Sequence, residues 1–187
     1  MKQNFFNILI ASLAFSSSAY ATEFSSIQPD KSTLNFVYTQ MGVQVDGHFK
    51  KFTVQISFDP VKPAVAKAAF DLDLNSIDAG SEEANDEVAG KEWFNTKTFP
   101  QAKFISTGFK AIGGNRYEVS GEMSIKGRTK IVTAPFTFTP QGNNGVVEGA
   151  FVLKRADFAI GEGSWSAFDT VANEIQIKFR FLASAGK

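Results

Sequence analysis

The stretch Glu174-Ile175-Gln176-Ile177-Lys178-Phe179-Arg180-Phe181 alternates polar and large apolar residues without a break. Successive side chains of a β strand point to opposite faces, so this stretch places its apolar residues on one face and its polar residues on the other. The same period of two recurs at residues 53–58 and 69–74. Stretches of this kind predict half-buried strands, each with one face in contact with water.

Turn signals separate the alternating stretches along the chain. Gly113-Gly114-Asn115 and residues 141–145 are the clearest, because glycine and asparagine adopt the backbone conformations of tight hairpins. Sequential hairpins whose strands each have one buried apolar face predict an all-β fold, and specifically an eight-stranded antiparallel barrel. A two-sheet sandwich would show the same periodicity and stays open. The predicted strands are residues 34–41, 48–59, 68–75, 102–112, 116–125, 128–139, 146–155 and 173–183.

Residues 81–90 have a helical composition and interrupt the series of strands. Ser81 is a suitable N-cap, and Glu82 and Glu83 follow in the first turn, where the helix dipole favours negative charge. Gly90 is expected to end the helix. The barrel is therefore predicted to carry one short helical insertion.

The N-terminus has the pattern of a secretory signal peptide. Lys2 precedes a short apolar run at residues 5–15, and Ala19-Tyr20-Ala21 matches the small-x-small cleavage pattern. We expect cleavage after Ala21, which leaves one domain of residues 22–187 in the periplasm; a retained N-terminal anchor is the alternative. No transmembrane segment is expected in the mature chain.

The composition of the 187 residues excludes several classes of function. Lys and Arg number 19, as do Asp and Glu, and this balance without a basic stripe argues against nucleic acid as a partner. With no cysteine and one histidine, the chain lacks the ligands of common structural zinc sites. No metal site and no cofactor are predicted.

Catalysis is not predicted either. His48 has no nucleophile elbow in the sequence to partner it, so we interpret it as a surface histidine. The acids Glu82, Glu83, Asp86 and Glu87 are interpreted as a solvated helix face and not as a glycosidase pair, which needs two carboxylates flanking a bond. The chain is predicted not to be an enzyme.

Five segments, in order, carry a family resemblance over nearly the whole mature chain. They are Phe36 to Phe52 with Gly42, Gly47 and Phe49; Trp93-Phe94-Asn95 leading to Phe99-Pro100-Gln101-Ala102-Lys103-Phe104-Ile105-Ser106; Gly121 to Gly127 with Thr129-Lys130; Arg155-Ala156-Asp157-Phe158-Ala159-Ile160-Gly161; and Asn173-Glu174-Ile175-Gln176-Ile177. Together they resemble the YceI-like family. The chain departs from it at Gln40-Met41, where many members have a histidine, and at residues 85–88, where only Asp86 remains of the Arg-Asp-x-His that many members have.

The resemblance implies an exported, lipocalin-like barrel that binds a polyisoprenoid lipid. The predicted function is non-catalytic binding, transport or storage of a long apolar lipid, a polyisoprenoid or an isoprenoid quinone, in the periplasm. The alternative is a solid barrel that acts as a protein-interaction or stress-response module. The predicted partner is the apolar lipid, and a homodimer stays open.

The apolar strand faces supply the candidate site. A solid core would use the same residues, and the resemblance favours a cavity. The loop at residues 161–168 is interpreted either as a mobile lid or as an ordinary connection. The predicted cavity residues are Phe36, Tyr38, Val54, Ile56, Phe70, Leu72, Tyr117, Val119, Phe151, Trp165, Ile175, Ile177 and Phe179. The headgroup candidates are Gln40, Asp86, Lys126, Arg128 and Arg155.

Overall fold

Strands dominate residues 22–186, the part of the chain that the computed structural model describes. The predicted signal peptide, residues 1–21, lies outside the described residues and stays a prediction. The strands are β1 (Phe24–Ile27), β2 (Thr33–Gln40), β3 (Val43–Phe49), β4 (Phe52–Ser57), β5 (Lys67–Asp73), β6 (Ile77–Asp78), β7 (Gln101–Gly113), β8 (Arg116–Ile125), β9 (Arg128–Gln141), β10 (Asn144–Lys154) and β11 (Glu174–Ala185). The α-helix is α1 (Glu82–Ala89), and short 3₁₀ helices cover Pro29–Lys31, Pro63–Val65, Leu74–Ser76, Arg155–Phe158 and Gly163–Trp165.

The strands form one antiparallel sheet that closes on itself. Its order is β4-β5-β7-β8-β9-β10-β11-β2-β3-β6. β1 pairs with the last residues of β11, and Phe24 exchanges backbone hydrogen bonds of 2.9 and 3.0 Å with Phe58, just beyond β4. These pairings close a ring of β4, β5, β7 to β11 and β1. The predicted all-β antiparallel barrel is confirmed, and the ring excludes an open two-sheet sandwich.

The strand count differs from the predicted eight because some strands change partner. The stretch at residues 48–59 is divided at Lys50 and Lys51: β3 pairs with β2 and β6, whereas β4 pairs with β5. β1 and β6 are only 4 and 2 residues long, too short for an alternating pattern to reveal. Eleven strands are therefore described.

The helical insertion forms where the sequence predicts it. The Ser81 hydroxyl caps α1 by accepting a hydrogen bond of 3.2 Å from the Ala84 N–H. Beyond Gly90, the N–H of Phe94 donates to Val88 at 3.0 Å, and the chain folds back under the helix. Ala84 and Val88 pack against the interior of the barrel and hold α1 across one end. Among residues 22–186, no helix is long and apolar enough to cross a membrane.

Five aromatic residues fill the opposite end of the barrel, where the β7–β8 and β9–β10 hairpins turn. We call this cluster the aromatic plug: Phe24, Phe58, Tyr117, Phe136 and Phe138. The Phe58 ring lies 5.1 Å from the centroids of Tyr117 and Phe138, and Phe58 has no exposed surface. Edge-to-face packing of this kind adds to the burial of apolar area. The plug closes this end.

Candidate functional site

The barrel encloses a cavity of about 710 Å³ between the aromatic plug and α1. Protein interiors are normally packed as densely as organic crystals, with few voids larger than a water molecule. The interior is therefore hollow, and the close-packed alternative does not describe it. Its wall is almost wholly apolar, since the inward side chains of the strands supply most of the lining.

The inward residues of β11 show how the cavity arises. Ile175, Ile177 and Phe179 alternate with exposed Glu174, Gln176 and Lys178, as the period of two predicts. The inward residues are only half-buried, because their side chains face empty space and not a neighbouring side chain. In a hollow barrel, side chains that point inward are expected to be only partly buried.

The structure brings together all but one of the predicted cavity residues. Those that line the cavity are Phe36, Tyr38, Val54, Ile56, Phe70, Leu72, Val119, Phe151, Trp165, Ile175, Ile177 and Phe179. Tyr117 does not line it and belongs to the aromatic plug, where its ring stacks on Phe136 at 5.4 Å and its hydroxyl donates to the Pro60 carbonyl at 3.2 Å. Burial raises the pKa of Tyr117, with a further contribution from Asp59.

Other lining residues were missed by the sequence analysis. Leu34, Phe104, Phe109, Met123 and Phe181 all line the cavity and lie at inward positions of their strands. The same alternation marks all of them except Phe109, which follows a β-bulge between Ser106 and Gly108 that shifts the inward face of β7 by one residue. Trp93, which the sequence analysis quoted only for the family resemblance, also lines the cavity, and its ring centroid lies 5.4 Å from that of Trp165. Its indole nitrogen is buried without a hydrogen-bond partner among the described residues.

Arg155 lies against the cavity wall, but its N–H groups are fully engaged. Its exposed fraction is 1%, and its guanidinium donates hydrogen bonds of 2.7 to 3.2 Å to six backbone carbonyls. The acceptors are Ile160, Gly161, Trp165, Ala167, Val171 and Ala172. Burial lowers the pKa of Arg155, but an arginine keeps its charge in proteins. The side chain therefore fastens the loop that follows β10.

That loop, residues 161–168, is anchored from two sides. Arg155 donates to Trp165 and Ala167, while the Glu92 carbonyl accepts from the N–H groups of Gly161 and Glu162, both at 2.8 Å. The Ser164 hydroxyl adds a hydrogen bond of 2.8 Å to the Glu92 carboxylate. Of the two interpretations of this loop, the contacts favour a fixed connection.

Three of the predicted headgroup residues do not line the cavity: Asp86, Lys126 and Arg128. Lys126 is buried by the same loop, because its ammonium donates to the Ala159 carbonyl at 2.6 Å and to Glu162 at 3.0 Å. Arg128 is exposed and lies 3.8 Å from Glu162. These three residues contact solvent or the loop, whereas Gln40 does line the cavity.

The polar part of the lining lies beside α1. Ser81, Glu83 and Glu87 line the cavity and are exposed to solvent, which places the opening next to the helix. Hydrogen bonds from its own backbone N–H and from Ser81 lower the pKa of Glu83, so its carboxylate is ionised at neutral pH. Tyr38 ties β2 to the segment before the helix by donating to the Ala79 carbonyl at 3.0 Å, and burial raises its pKa.

His48 lies outside the cavity lining. Its Nε2 atom is 3.9 Å from the Asp78 carboxylate, and its side chain is about half exposed. A hydrogen bond from Lys50 lowers the pKa of Asp78, with a smaller effect from the Gly80 N–H. No serine, threonine or cysteine is hydrogen-bonded to His48 among the described residues. His48 and Asp78 are directly paired residues of β3 and β6 at the surface, and among the described residues this pair includes no activated nucleophile.

A closed antiparallel barrel with an apolar cavity defines a lipocalin-like class of fold. The model of the YceI-like domain matches residues 26–183, so the chain belongs to the YceI-like family. The protein YceI of Salmonella arizonae is 31% identical over 147 residues, 77% of this chain and 76% of that protein. A UPF0312 protein of Pseudomonas putida strain F1 is 33% identical over 100 residues, 54% of this chain; with 52% of that relative covered, the chain spans about half its length.

Solved structures agree with this assignment. BcnA of Burkholderia cenocepacia is 42% identical with a TM-score of 0.83, over 85% of this chain and 100% of that one. A polyisoprenoid binding domain from Saccharophagus degradans superposes with a TM-score of 0.68 over 89% of this chain and 99% of its own. At 17% identity, the second likeness shows the fold alone.

Proposed function

We propose that this protein binds one long apolar lipid, a polyisoprenoid or an isoprenoid quinone, in the barrel and transports or stores it without catalysis. The observation that carries the proposal is the apolar cavity of about 710 Å³. Ligand pockets typically measure about 300–1,000 Å³ and are lined mostly by apolar groups, with a few polar groups that set orientation. The cavity fits this description: Ser81, Glu83 and Glu87 are polar groups at its opening, and Gln40 is a further polar group in its lining.

The comparisons support the lipid class. The Saccharophagus degradans domain of the same fold is described as polyisoprenoid binding, and this chain belongs to the YceI-like family. The periplasm is part of the proposal and rests on the signal-peptide pattern at residues 1–21. A role without an enzyme's chemistry is supported by His48, the one histidine of the chain, which lies outside the cavity.

The first experiment is native mass spectrometry of the full-length protein after gentle purification from an exporting host. We expect one adduct per chain that extracts as a prenyl lipid, and a protein mass that corresponds to cleavage after Ala21. A mass without adduct that stays unchanged after incubation with prenols and quinones would refute lipid binding. The mass of the uncleaved chain would refute export through a cleaved signal peptide, but it would say nothing about lipid binding in the cavity.

A matched pair of variants tests the site. Ile177 lines the cavity and Gln176 beside it faces solvent, so Ile177→Glu and Gln176→Glu introduce the same charge on opposite faces of β11. We expect Ile177→Glu to lose lipid uptake, since a buried carboxylate is costly beside an apolar chain. Gln176→Glu should retain it. Circular dichroism checks that both variants fold, and normal uptake by folded Ile177→Glu would place the lipid elsewhere.

A further inference from the structure

The charges around the cavity carry information about the headgroup. Among the described residues that line it, those of the charged residue types are Arg155, Glu83 and Glu87. A phosphorylated headgroup needs cationic or N–H donors, which form charge-assisted hydrogen bonds with its oxygens. Whether the cavity can bind such a group therefore depends on which donors are free.

Arg155 has no free donor to offer. A guanidinium carries five N–H groups, and the structure shows six hydrogen bonds from this one to backbone carbonyls, with Nη2 shared among three acceptors. A phosphate could be bound only after some of these carbonyls had lost their partner in a buried region. Because these carbonyls already accept all of its N–H groups, Arg155 is not available to bind a phosphate.

The opening adds negative charge. Glu83 and Glu87 are four residues apart on α1, which places them on one face, one helical turn apart. Both line the cavity and are exposed, so a headgroup at the opening would lie beside two carboxylates. Lys126 and Arg128 lie outside the lining and are paired with Glu162. Their charges are therefore directed to another acid.

We propose that the cavity selects lipids with an uncharged headgroup and rejects phosphorylated ones through Glu83 and Glu87, with Arg155 saturated by backbone carbonyls. This inference rests on the proposed lipid-binding function and narrows its ligand to free prenols, quinones or similar neutral prenyl lipids. Like charges held close together oppose binding, and the opposition weakens as salt screens it.

A competition experiment tests the proposal. Delipidated full-length protein is offered equal amounts of a polyprenol and of the diphosphate of the same polyprenol, in mixed neutral-detergent micelles with a chelator to remove bridging cations. The protein is then re-isolated, and the two extracted lipids are quantified. We expect the free prenol to exceed the diphosphate by about tenfold or more, a ratio that two nearby like charges can produce.

Variants of α1 assign the selection to particular side chains. Glu83→Gln combined with Glu87→Gln should bring the bound ratio several-fold closer to equality, because the carboxylates are removed without loss of side-chain volume. Asp86→Asn is the matched control: it lies on the same exposed helix outside the cavity lining and should leave the ratio unchanged. High salt should reduce the selection of the unmodified protein, a readout that needs no variant.

The outcomes separate this inference from the proposed function. Equal binding of prenol and diphosphate by the unmodified protein would overturn the selection and leave lipid binding intact. An unchanged ratio in the double variant, or an equal shift in Asp86→Asn, would overturn the role of Glu83 and Glu87 in the selection and would also leave lipid binding intact. Failure of both lipids to bind would remove the proposed function and this inference together.

Discussion

Arg155 shows how one residue that resembles a ligand contact can be structural. An arginine that follows a strand in a predicted lipid-binding barrel suggests contact with a headgroup. Its six carbonyl partners lie within residues 160–172, and its guanidinium carbon is 5.4 Å from the Trp93 ring centroid and 5.0 Å from that of Phe168. This one side chain supplies hydrogen-bond donors to several buried carbonyls of the loop, which would otherwise be unpaired.

Arg155→Lys tests that role. Lysine keeps the charge but has three donors on a single atom, so at least three of the carbonyls lose their partner. We expect the free energy of unfolding to fall by roughly 2–4 kcal/mol, given the cost of unpaired buried groups. Urea denaturation measures it.

The control for this change is Arg128→Lys. Arg128 is exposed and lies 3.8 Å from Glu162, so its replacement should change the unfolding free energy by less than about 0.5 kcal/mol. If both variants unfolded at the same urea concentration, Arg155 would contribute no more than a surface residue. Lipid uptake by folded Arg155→Lys should remain close to normal, because the proposal gives Arg155 no contact with the headgroup.

At the scale of the strands, glycines provide the space for inward phenylalanine rings. Phe36 of β2 lies directly across from Gly47 of β3, and a Cβ atom at Gly47 would overlap the Phe36 ring. Phe179 of β11 has the same relation to Gly149 of β10. Both rings line the cavity. These glycines therefore help to set the shape of the cavity wall as well as the course of the strands.

Gly47→Ala should displace the Phe36 ring or separate the two strands. We expect a loss of about 1–3 kcal/mol in the free energy of unfolding, the usual cost of overpacking, together with weaker lipid binding. Gly108→Ala on β7 is the control, because no atom lies within 4 Å of its added Cβ. That control should be neutral or slightly stabilising. Equal destabilisation by the two changes would exclude the overlap with Phe36 as the cause.

The elements also show what the sequence could predict. Alternation identified the long strands and their inward faces, and the capping pattern identified α1, because both depend on neighbours along the chain. The position of a side chain along the barrel axis does not depend on neighbours along the chain. Tyr117 is inward as predicted, yet it lies in the aromatic plug. Whether a residue joins the plug or the cavity depends on the stagger of strands that are distant in sequence.

The polar candidates were harder to place for the same reason. Lys126 and Arg128 flank a tight turn in sequence, a position that left contact with a headgroup open. Their acidic partner, Glu162, comes from a loop more than thirty residues away, and only the fold brings it within 3.0 Å of Lys126. Short sequence patterns record local geometry, so they identified the cavity wall better than the polar groups at its ends.

The molecule as a whole should be less stable when its cavity is empty. A ligand that binds only the folded state adds about 2.7 kcal/mol to the unfolding free energy at a concentration a hundred times its Kd. In a domain of this size, that corresponds to a rise in Tm of roughly 5–10 °C. Delipidated protein should therefore melt at a lower temperature than protein reloaded with a polyprenol, as differential scanning calorimetry can measure.

A variant whose own side chain fills the cavity distinguishes stabilisation by a lipid inside the cavity from stabilisation by lipid bound to the outer surface of the barrel. Ala68 lines the cavity, and its neighbour Ala69 on β5 does not. Ala68→Phe places a ring in the empty space, so the delipidated variant should retain its Tm while the rise caused by polyprenol is reduced or lost. Ala69→Phe adds the same ring outside the cavity and should keep the full rise. If polyprenol raised the Tm of both variants equally, the stabilisation would come from a surface of the barrel, and the hollow interior would not be the binding site.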